Sequence, residues 1–182
     1  GVLAGDVNPS GKLPFSFPVK LEDNAAHAMG EYPGNKEELA AGKGKDLKDP
    51  INITYNEGIF VGYRWHDTKN IKPLFSFGHG LSYTTFEYGK VKADKSELTS
   101  NDKITFTVSV KNTGKVDGAE VVQLYISDLK SSLPRPLKEL KGFDKVYLKA
   151  GESKDVSITI DKSALSFFDP VKHDWVAEPG EF

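Results

Sequence analysis

Among the side chains of this sequence, the carboxylate of Glu57 is the best placed for chemistry. It lies in the aromatic, glycine-containing stretch Tyr55–Gly58, which leads into a segment that we interpret as a strand carrying Arg64. Two carboxylates held roughly 5 to 9.5 Å apart can cleave a glycosidic bond, one as acid and the other as base or nucleophile. The alternative is structural, with Glu57 held by Arg64 or by backbone amides to fix a bend. The sequence favours the structural alternative, because Asp6, Glu120 and Asp169 read as turn or edge residues.

Other catalytic and ligand-binding patterns are missing from the sequence. The chain has no cysteine, which excludes disulfides, a thiolate nucleophile and cysteine-ligated zinc. The histidines never lie four residues apart or in pairs at metal-ligand spacing: His27, His66, His79 and His173. Gly78–Gly80 lacks the Gly-x-Ser-x-Gly order of a nucleophile elbow. We therefore predict no catalytic, cofactor-binding or metal-binding residue and no cofactor.

Two arginines and three aromatic residues are candidates for other roles. Arg64 and Arg135 are the only arginines among 24 basic residues, and a guanidinium can bind a carboxylate or several carbonyls through its planar fork. We predict that both are structural clamps. Tyr32, Trp65 and Trp175 are the residues available for stacking if the chain binds carbohydrate.

Charge and hydropathy exclude two classes of partner. The formal net charge of -2 provides no basic field for nucleic acid or an anionic membrane. No apolar run approaches the roughly 20 residues that cross a bilayer. We therefore predict a soluble chain that binds neither nucleic acid nor membrane, with an oligomeric state that the sequence leaves open.

The C-terminal half shows the strongest structural pattern. Ile104, Phe106, Val108 and Val110 alternate with polar residues, the period of two of a strand with one buried face. The segment 112–118 is rich in Gly, Asn and Asp and predicts a hairpin-like connection to a second strand at 120–127. Further strands are predicted at 140–148 and 156–160. Short, regularly spaced strands with no helical period predict an all-β sandwich of immunoglobulin or fibronectin type III character.

The N-terminal half is less regular. Residues 12–18 alternate Leu13, Phe15 and Phe17 with polar residues, but their prolines confine them to a sheet edge or a strand end. The polar stretch 21–49 offers one helical turn, at 37–41, and reads as a linker or surface excursion. The aromatic segments 51–67 and 73–88 are too apolar for free linker, so we expect them to pack on something.

Several motifs follow one another along the chain. They are Asn8–Pro14 (NPSGKLP), Tyr55–Arg64 (YNEGIFVGYR), Pro73–Phe86 (PLFSFGHGLSYTTF), Val110–Gly114 (VKNTG), Gly118–Tyr125 (GAEVVQLY), Arg135–Phe143 (RPLKELKGF) and Leu148–Glu152 (LKAGE). Together they closely resemble the C-terminal part of family 3 glycoside hydrolases, the β-glucosidase and β-xylosidase group. The resemblance implies four parts: a terminal strand of an α/β sandwich domain (1–20), a polar linker (21–54), a connecting segment packed on the sandwich (55–87) and a fibronectin type III-like domain (88–182).

For function, this resemblance implies a structural part of a larger enzyme. In that family the nucleophilic aspartate lies in a barrel domain, and the acid/base carboxylate usually lies upstream of the segment that resembles Asn8–Gly11. We therefore carry no catalytic residue onto this chain, and expect it to be inactive alone. Its expected partner is the remainder of a parent β-glycosidase, through which it would meet oligosaccharide substrates in a secreted or periplasmic setting. The family continues beyond the segment resembling Trp175–Phe182 into a final strand, so the sandwich is expected to lack one strand.

Two alternatives remain open. The chain could be an autonomous carbohydrate-binding or adhesion module, which would need an exposed aromatic platform. It could also be a separately encoded subunit that completes a split enzyme.

Overall fold

The chain forms two compact units in the computed structural model, which describes residues 1–45, 48–99 and 101–182. The first, called here the sandwich unit, comprises Gly1–Lys12, Gly80–Pro134 and Lys138–Phe182. The second, the loop-rich unit, comprises Leu13–His79 and Arg135–Leu137. Strands are confined to the sandwich unit among the described residues.

The sandwich unit contains eight strands and one short α-helix among the residues that the structure describes. In chain order they are β1 Phe86–Tyr88, β2 Lys92–Ala93, β3 Lys103–Asn112, β4 Gly118–Ile126, β5 Glu139–Leu148, β6 Ser153–Asp161, α1 Lys162–Leu165, β7 Phe167–Asp169 and β8 Asp174–Val176. Strand β3 pairs antiparallel with β1 and β2 along one edge and with β6 along the other. Strands β4 and β5 form a separate antiparallel pair, as do β7 and β8. The four predicted strands at 104–111, 120–127, 140–148 and 156–160 are confirmed as β3 to β6.

The core lies where side chains of β3 and β6 meet side chains of β4 and β5. Its buried members are Val108, Val110, Val122, Leu148 and Val156. Burying such a side chain contributes about 1.5–3 kcal/mol. The opposite face of the β3–β6 pair carries cross-strand hydroxyl pairs, with 2.9 Å between the side-chain oxygens of Thr105 and Thr159. This alternation explains why the sequence pattern identified these strands.

The hairpin predicted at 112–118 is wrong. Strand β3 pairs with β6 and not with β4, so this segment carries the chain from one sheet to the other. Asn112 is fully buried, and its Nδ2 donates to the carbonyls of Val116 and Leu148 at 2.8 and 3.2 Å. Its Oδ1 accepts from the Gly114 amide at 3.1 Å and from the Thr84 hydroxyl. One buried side chain therefore binds both the Gly114 amide and the Val116 carbonyl of this turn.

The loop-rich unit has three short α-helices among its described residues: α2 Ala25–Ala28, α3 Lys36–Ala40 and α4 Tyr63–Thr68. Helix α3 confirms the helical turn predicted at 37–41, and the Asn35 side chain caps it by accepting from the amides of Glu37 and Glu38. Helix α4 contradicts the strand expected at Arg64. Its Trp65 is buried, and the indole Nε1 donates to the carbonyl of Asp23 at 3.0 Å.

The segment 13–17 pairs antiparallel with 74–79 inside the loop-rich unit. The amide of Leu13 donates to the carbonyl of His79, and the amide of Phe17 donates to the carbonyl of Phe75, both at 2.8 Å. Ser16 is buried, whereas Phe15 is 49% and Phe17 39% exposed. The phenylalanines therefore point away from the packing of this unit.

Candidate functional site

Glu57 is buried, with 8% of its surface exposed. Its backbone carbonyl accepts from the amide of Phe60 at 3.1 Å, which closes a turn. Its Oε2 is inaccessible and accepts no hydrogen bond from the described residues. The expected hold on Glu57 by Arg64 or by backbone amides is therefore not present at this oxygen.

A second buried carboxylate, Glu31, lies in the same unit and was not singled out by the sequence. Its Oε1 accepts from the amide of Asn56 at 3.1 Å, whereas its Oε2 accepts no hydrogen bond from the described part of the chain. The sequence does not predict the burial of Glu31, because its contact with Asn56 joins positions 25 residues apart. Among the described residues of the loop-rich unit, Glu31 and Glu57 are buried carboxylates, and each has an Oε2 that accepts no hydrogen bond.

The two arginines lie in the same unit. Arg64 is in α4, with its guanidinium carbon 5.9 Å from the centre of the Tyr63 ring. Arg135 belongs to the short segment Arg135–Leu137 that joins this unit. Their role as clamps stays a prediction.

The three aromatic residues proposed for stacking differ in exposure. Tyr32 is 56% and Trp175 66% exposed, but Trp65 is 7% exposed and its indole N–H is already used. Trp65 is therefore wrong as a stacking candidate. Trp175 lies edge-on to Phe168, with 6.0 Å between the ring centroids, on the β7–β8 hairpin.

Exposed aromatic rings form a row on the loop-rich unit, called here the aromatic row: Phe15, Phe17, Phe75 and His79. Consecutive ring centroids are 4.6, 6.1 and 5.0 Å apart. Contiguous exposed apolar surface of this kind marks an interaction site in soluble proteins. The antiparallel pairing of 13–17 with 74–79 holds the row in place.

Asn8 anchors the segment 1–12 to the rest of the sandwich unit. Its Oδ1 accepts from the hydroxyl of Ser82 at 2.9 Å and the amide of Tyr83 at 2.8 Å. Its Nδ2 donates to the carbonyl of Asp117 at 2.9 Å. One asparagine therefore ties together three parts of the chain that are distant in sequence.

Glu120 completes this attachment. Its carboxylate pairs with Lys12 and accepts from the hydroxyl of Tyr88, each at 3.0 Å. Burial and the neighbouring Glu120 charge raise the pKa of the Tyr88 hydroxyl above its usual range. Glu120, read from the sequence as a turn or edge residue, in fact joins β1, β4 and the N-terminal segment.

The described residues contain no group of three or more His, Cys, Asp or Glu side chains arranged to hold a metal ion. None of their helices is both long enough and apolar enough to cross a bilayer.

Comparisons with known proteins place this geometry in a family. Residues 1–63 match the model of the glycosyl hydrolase family 3 C-terminal domain, and residues 120–182 match that of the fibronectin type III-like domain. All of the chain aligns with Beta-glucosidase BoGH3A of Bacteroides ovatus, at 52% identity over 183 residues. The chain belongs to glycoside hydrolase family 3. It corresponds to the C-terminal part of these enzymes, as the motifs implied.

Other relatives give the same result for sequence and for structure. Thermostable beta-glucosidase B of Acetivibrio thermocellus is 49% identical over 181 residues. The crystal structure of DesR, a β-glucosidase from Streptomyces venezuelae, superposes on 97% of the chain with a TM-score of 0.81 and 41% identity. The chain spans only 23%, 22% and 21% of the lengths of these three proteins. The fold class of this family 3 chain is all-β, as predicted, and it contains a fibronectin type III-like sandwich.

Proposed function

We propose that this chain is the non-catalytic structural portion of a β-glycosidase that hydrolyses terminal β-linked sugars. The observation that carries the proposal is the uninterrupted match of the whole chain, through both units, to proteins named β-glucosidases. Its partner is the remainder of the parent enzyme, whose barrel and α/β sandwich domains would contain the catalytic carboxylates.

The aromatic row supports a bracing role. Phe15, Phe17 and Phe75 are 49%, 39% and 43% exposed, and each phenylalanine that becomes fully buried contributes about 1.5–3 kcal/mol. Phe15 and Phe17 lie within residues 1–63, which match a domain of the family 3 enzymes. Docking of this row on the preceding part of the parent would join the two units to the catalytic domains.

A domain exchange tests the proposal. The 183 aligned residues of the Bacteroides ovatus β-glucosidase are replaced by this chain, and hydrolysis of an aryl β-glucoside is measured. We expect the chimaera to retain activity within about tenfold of the parent, because this chain is 52% identical to the region that it replaces. A tenfold change in rate corresponds to about 1.4 kcal/mol in the activation barrier.

Two controls make the exchange decisive. The relative truncated before the aligned region should lose activity or solubility, since it lacks the brace. A folded but inactive chimaera would contradict the assignment to a β-glucosidase. A fully active truncated enzyme would contradict the bracing role.

A second candidate function is that of a carbohydrate-binding or adhesion module. Trp175 favours it, because this ring is 66% exposed on a hairpin beside Phe168. Titration with oligosaccharides while the indole N–H signal of Trp175 is followed distinguishes the two functions. Saturable movement of that signal would support the module, and the bracing role predicts none.

A further inference from the structure

We propose that a polar cleft in the loop-rich unit binds a neutral saccharide. The cleft has a volume of about 430 Å³ and lies between residues of the segments 29–37 and 52–56. Small-molecule sites in proteins have volumes of about 300–1,000 Å³, so the cleft is large enough for a sugar. It is separate from the aromatic row and from Trp175, none of whose residues line it.

The lining is made mainly of amide and hydroxyl groups. Asn35 uses its Oδ1 to cap α3, and Asn52 uses its Nδ2 to bind Glu38 at 2.8 Å. The Nδ2 of Asn35, the Oδ1 of Asn52 and the hydroxyl of Thr54 form no hydrogen bond with the described residues. Sugar hydroxyls both donate and accept, so they match such a mixed set of donors and acceptors.

Glu31 lines one wall of this cleft and fixes the position of Asn56. Only 9% of the residue is exposed, and the Asn56 amide holds its Oε1 at 3.1 Å. Its Oε2 accepts no hydrogen bond from the residues that the structure describes. Because this oxygen is inaccessible, Glu31 shapes the wall of the cleft through its hydrogen bond to Asn56 and does not itself contact a ligand.

The charge of the lining selects against ionic ligands. Glu31 and Glu37 face one cation, Lys36, which disfavours an anion. A divalent cation is disfavoured because the described residues offer no cluster of three ligating side chains. Met29, which is 44% exposed, adds apolar surface suited to the C–H face of a sugar ring.

An NMR titration of the full chain tests this site. Backbone and side-chain amide signals are followed as glucose, cellobiose or xylose is added. The choice of ligands built from β-glucose as the first to be tested rests on the proposed function. We expect saturable shifts at residues 29–37 and 52–56. Glu31→Gln and Thr54→Val should each weaken binding at least fivefold, and Glu87→Gln, on β1 of the sandwich unit, should leave it unchanged.

Each outcome decides for or against the cleft. Thr54→Val keeps the shape of an exposed residue, so it retains the test if Glu31→Gln fails to fold. The proposal would be overturned if no saturable shifts appeared, or if both variants bound the sugar as tightly as the wild type. Shifts confined to Trp175, or shifts induced only by calcium chloride or sodium phosphate, would also overturn it. A chimaera that hydrolyses the aryl β-glucoside while the chain shows no sugar-dependent shifts would overturn the cleft and leave the proposed function standing.

Discussion

At the scale of single residues, the partly buried Asn8 and the buried Asn112 organise the sandwich unit. Asn8 binds two main-chain groups and Asn112 binds three. An amide side chain suits such positions because it presents donors and an acceptor together. Both residues lie in motifs that identified the family. Motif residues in this chain therefore report on folding as well as on function.

We expect Asn112→Leu to destabilise the sandwich unit by about 3 kcal/mol. The substitution leaves the carbonyls of Val116 and Leu148 without their donor, and each buried polar group left unpaired costs about 1–3 kcal/mol. Chemical denaturation followed by circular dichroism measures the loss. Asn101→Leu, at an exposed turn position, is the matched control. Equal stability of the two variants would contradict the role given to Asn112.

The arginine clamps give a second prediction at this scale. Arg64→Lys and Arg135→Lys should each lower the melting temperature, because lysine keeps the charge but lacks the planar fork. Lys130→Arg, at an exposed loop position, should leave it unchanged. Melting temperatures equal to that of the wild type within error would show that neither arginine is a clamp.

Tyr88 gives a prediction for alkaline pH. Its pKa is raised in the folded state, so the unfolded chain loses this proton first as pH rises past about 10. The stabilisation is complete below pH 10 and is lost as pH rises towards the folded pKa. Unfolding measured from pH 9 to 11 should therefore show a steeper loss for the wild type than for Tyr88→Phe. Tyr55→Phe, at an exposed position, should follow the wild type.

At the scale of elements, the N-terminal segment 1–12 is held by close backbone contact as well as by Asn8. A Cβ atom on Gly80 would lie 2.1 Å from the carbonyl oxygen of Gly11, and real Cβ atoms do not approach so closely. Glycine is therefore required where these two parts of the chain cross.

Gly80→Ala should consequently destabilise the sandwich unit by about 1–3 kcal/mol, the usual cost of forcing extra atoms into a packed site. Gly180→Ala is the control, because nothing lies within 4 Å of a Cβ at that position and its backbone is not left-handed. Thermal unfolding compares the two. A Gly80→Ala variant as stable as Gly180→Ala would mean that segment 1–12 can shift without cost.

Elements with a long alternating pattern could be predicted, and short or non-local ones could not. β3 to β6 have nine or ten residues each, enough for the period of two to be read. Helix α4 has only six residues, and the aromatic and β-branched residues around it in the sequence predict a strand instead. The sequence predicts a hairpin at 112–118 wrongly, because the path of this segment depends on the contact of Asn112 with Leu148, 36 residues away. The buried Glu31 was missed for the same reason.

At the scale of the whole molecule, the chain divides its residues between two small units. The sandwich unit has an apolar core, whereas the loop-rich unit relies more on capped turns and buried polar contacts. An eight-stranded α/β barrel typically needs about 250 residues, which exceeds the 182 of this chain. Under the proposed function, catalytic carboxylates on such a barrel would lie in another part of the parent enzyme.

The chain alone should accordingly hydrolyse no glycoside. Protonation of the leaving group and attack at the anomeric carbon are separate tasks, so a mechanism that lacks either carboxylate loses most of its rate. Glu57 is 8% exposed with an inaccessible Oε2, which denies it contact with a substrate. Purified chain at high concentration is incubated with an aryl β-glucoside and an aryl β-xyloside beside Glu57→Gln. Aryl alcohol released by the wild type and not by Glu57→Gln would make Glu57 catalytic, whereas equal release by both would identify a contaminating enzyme.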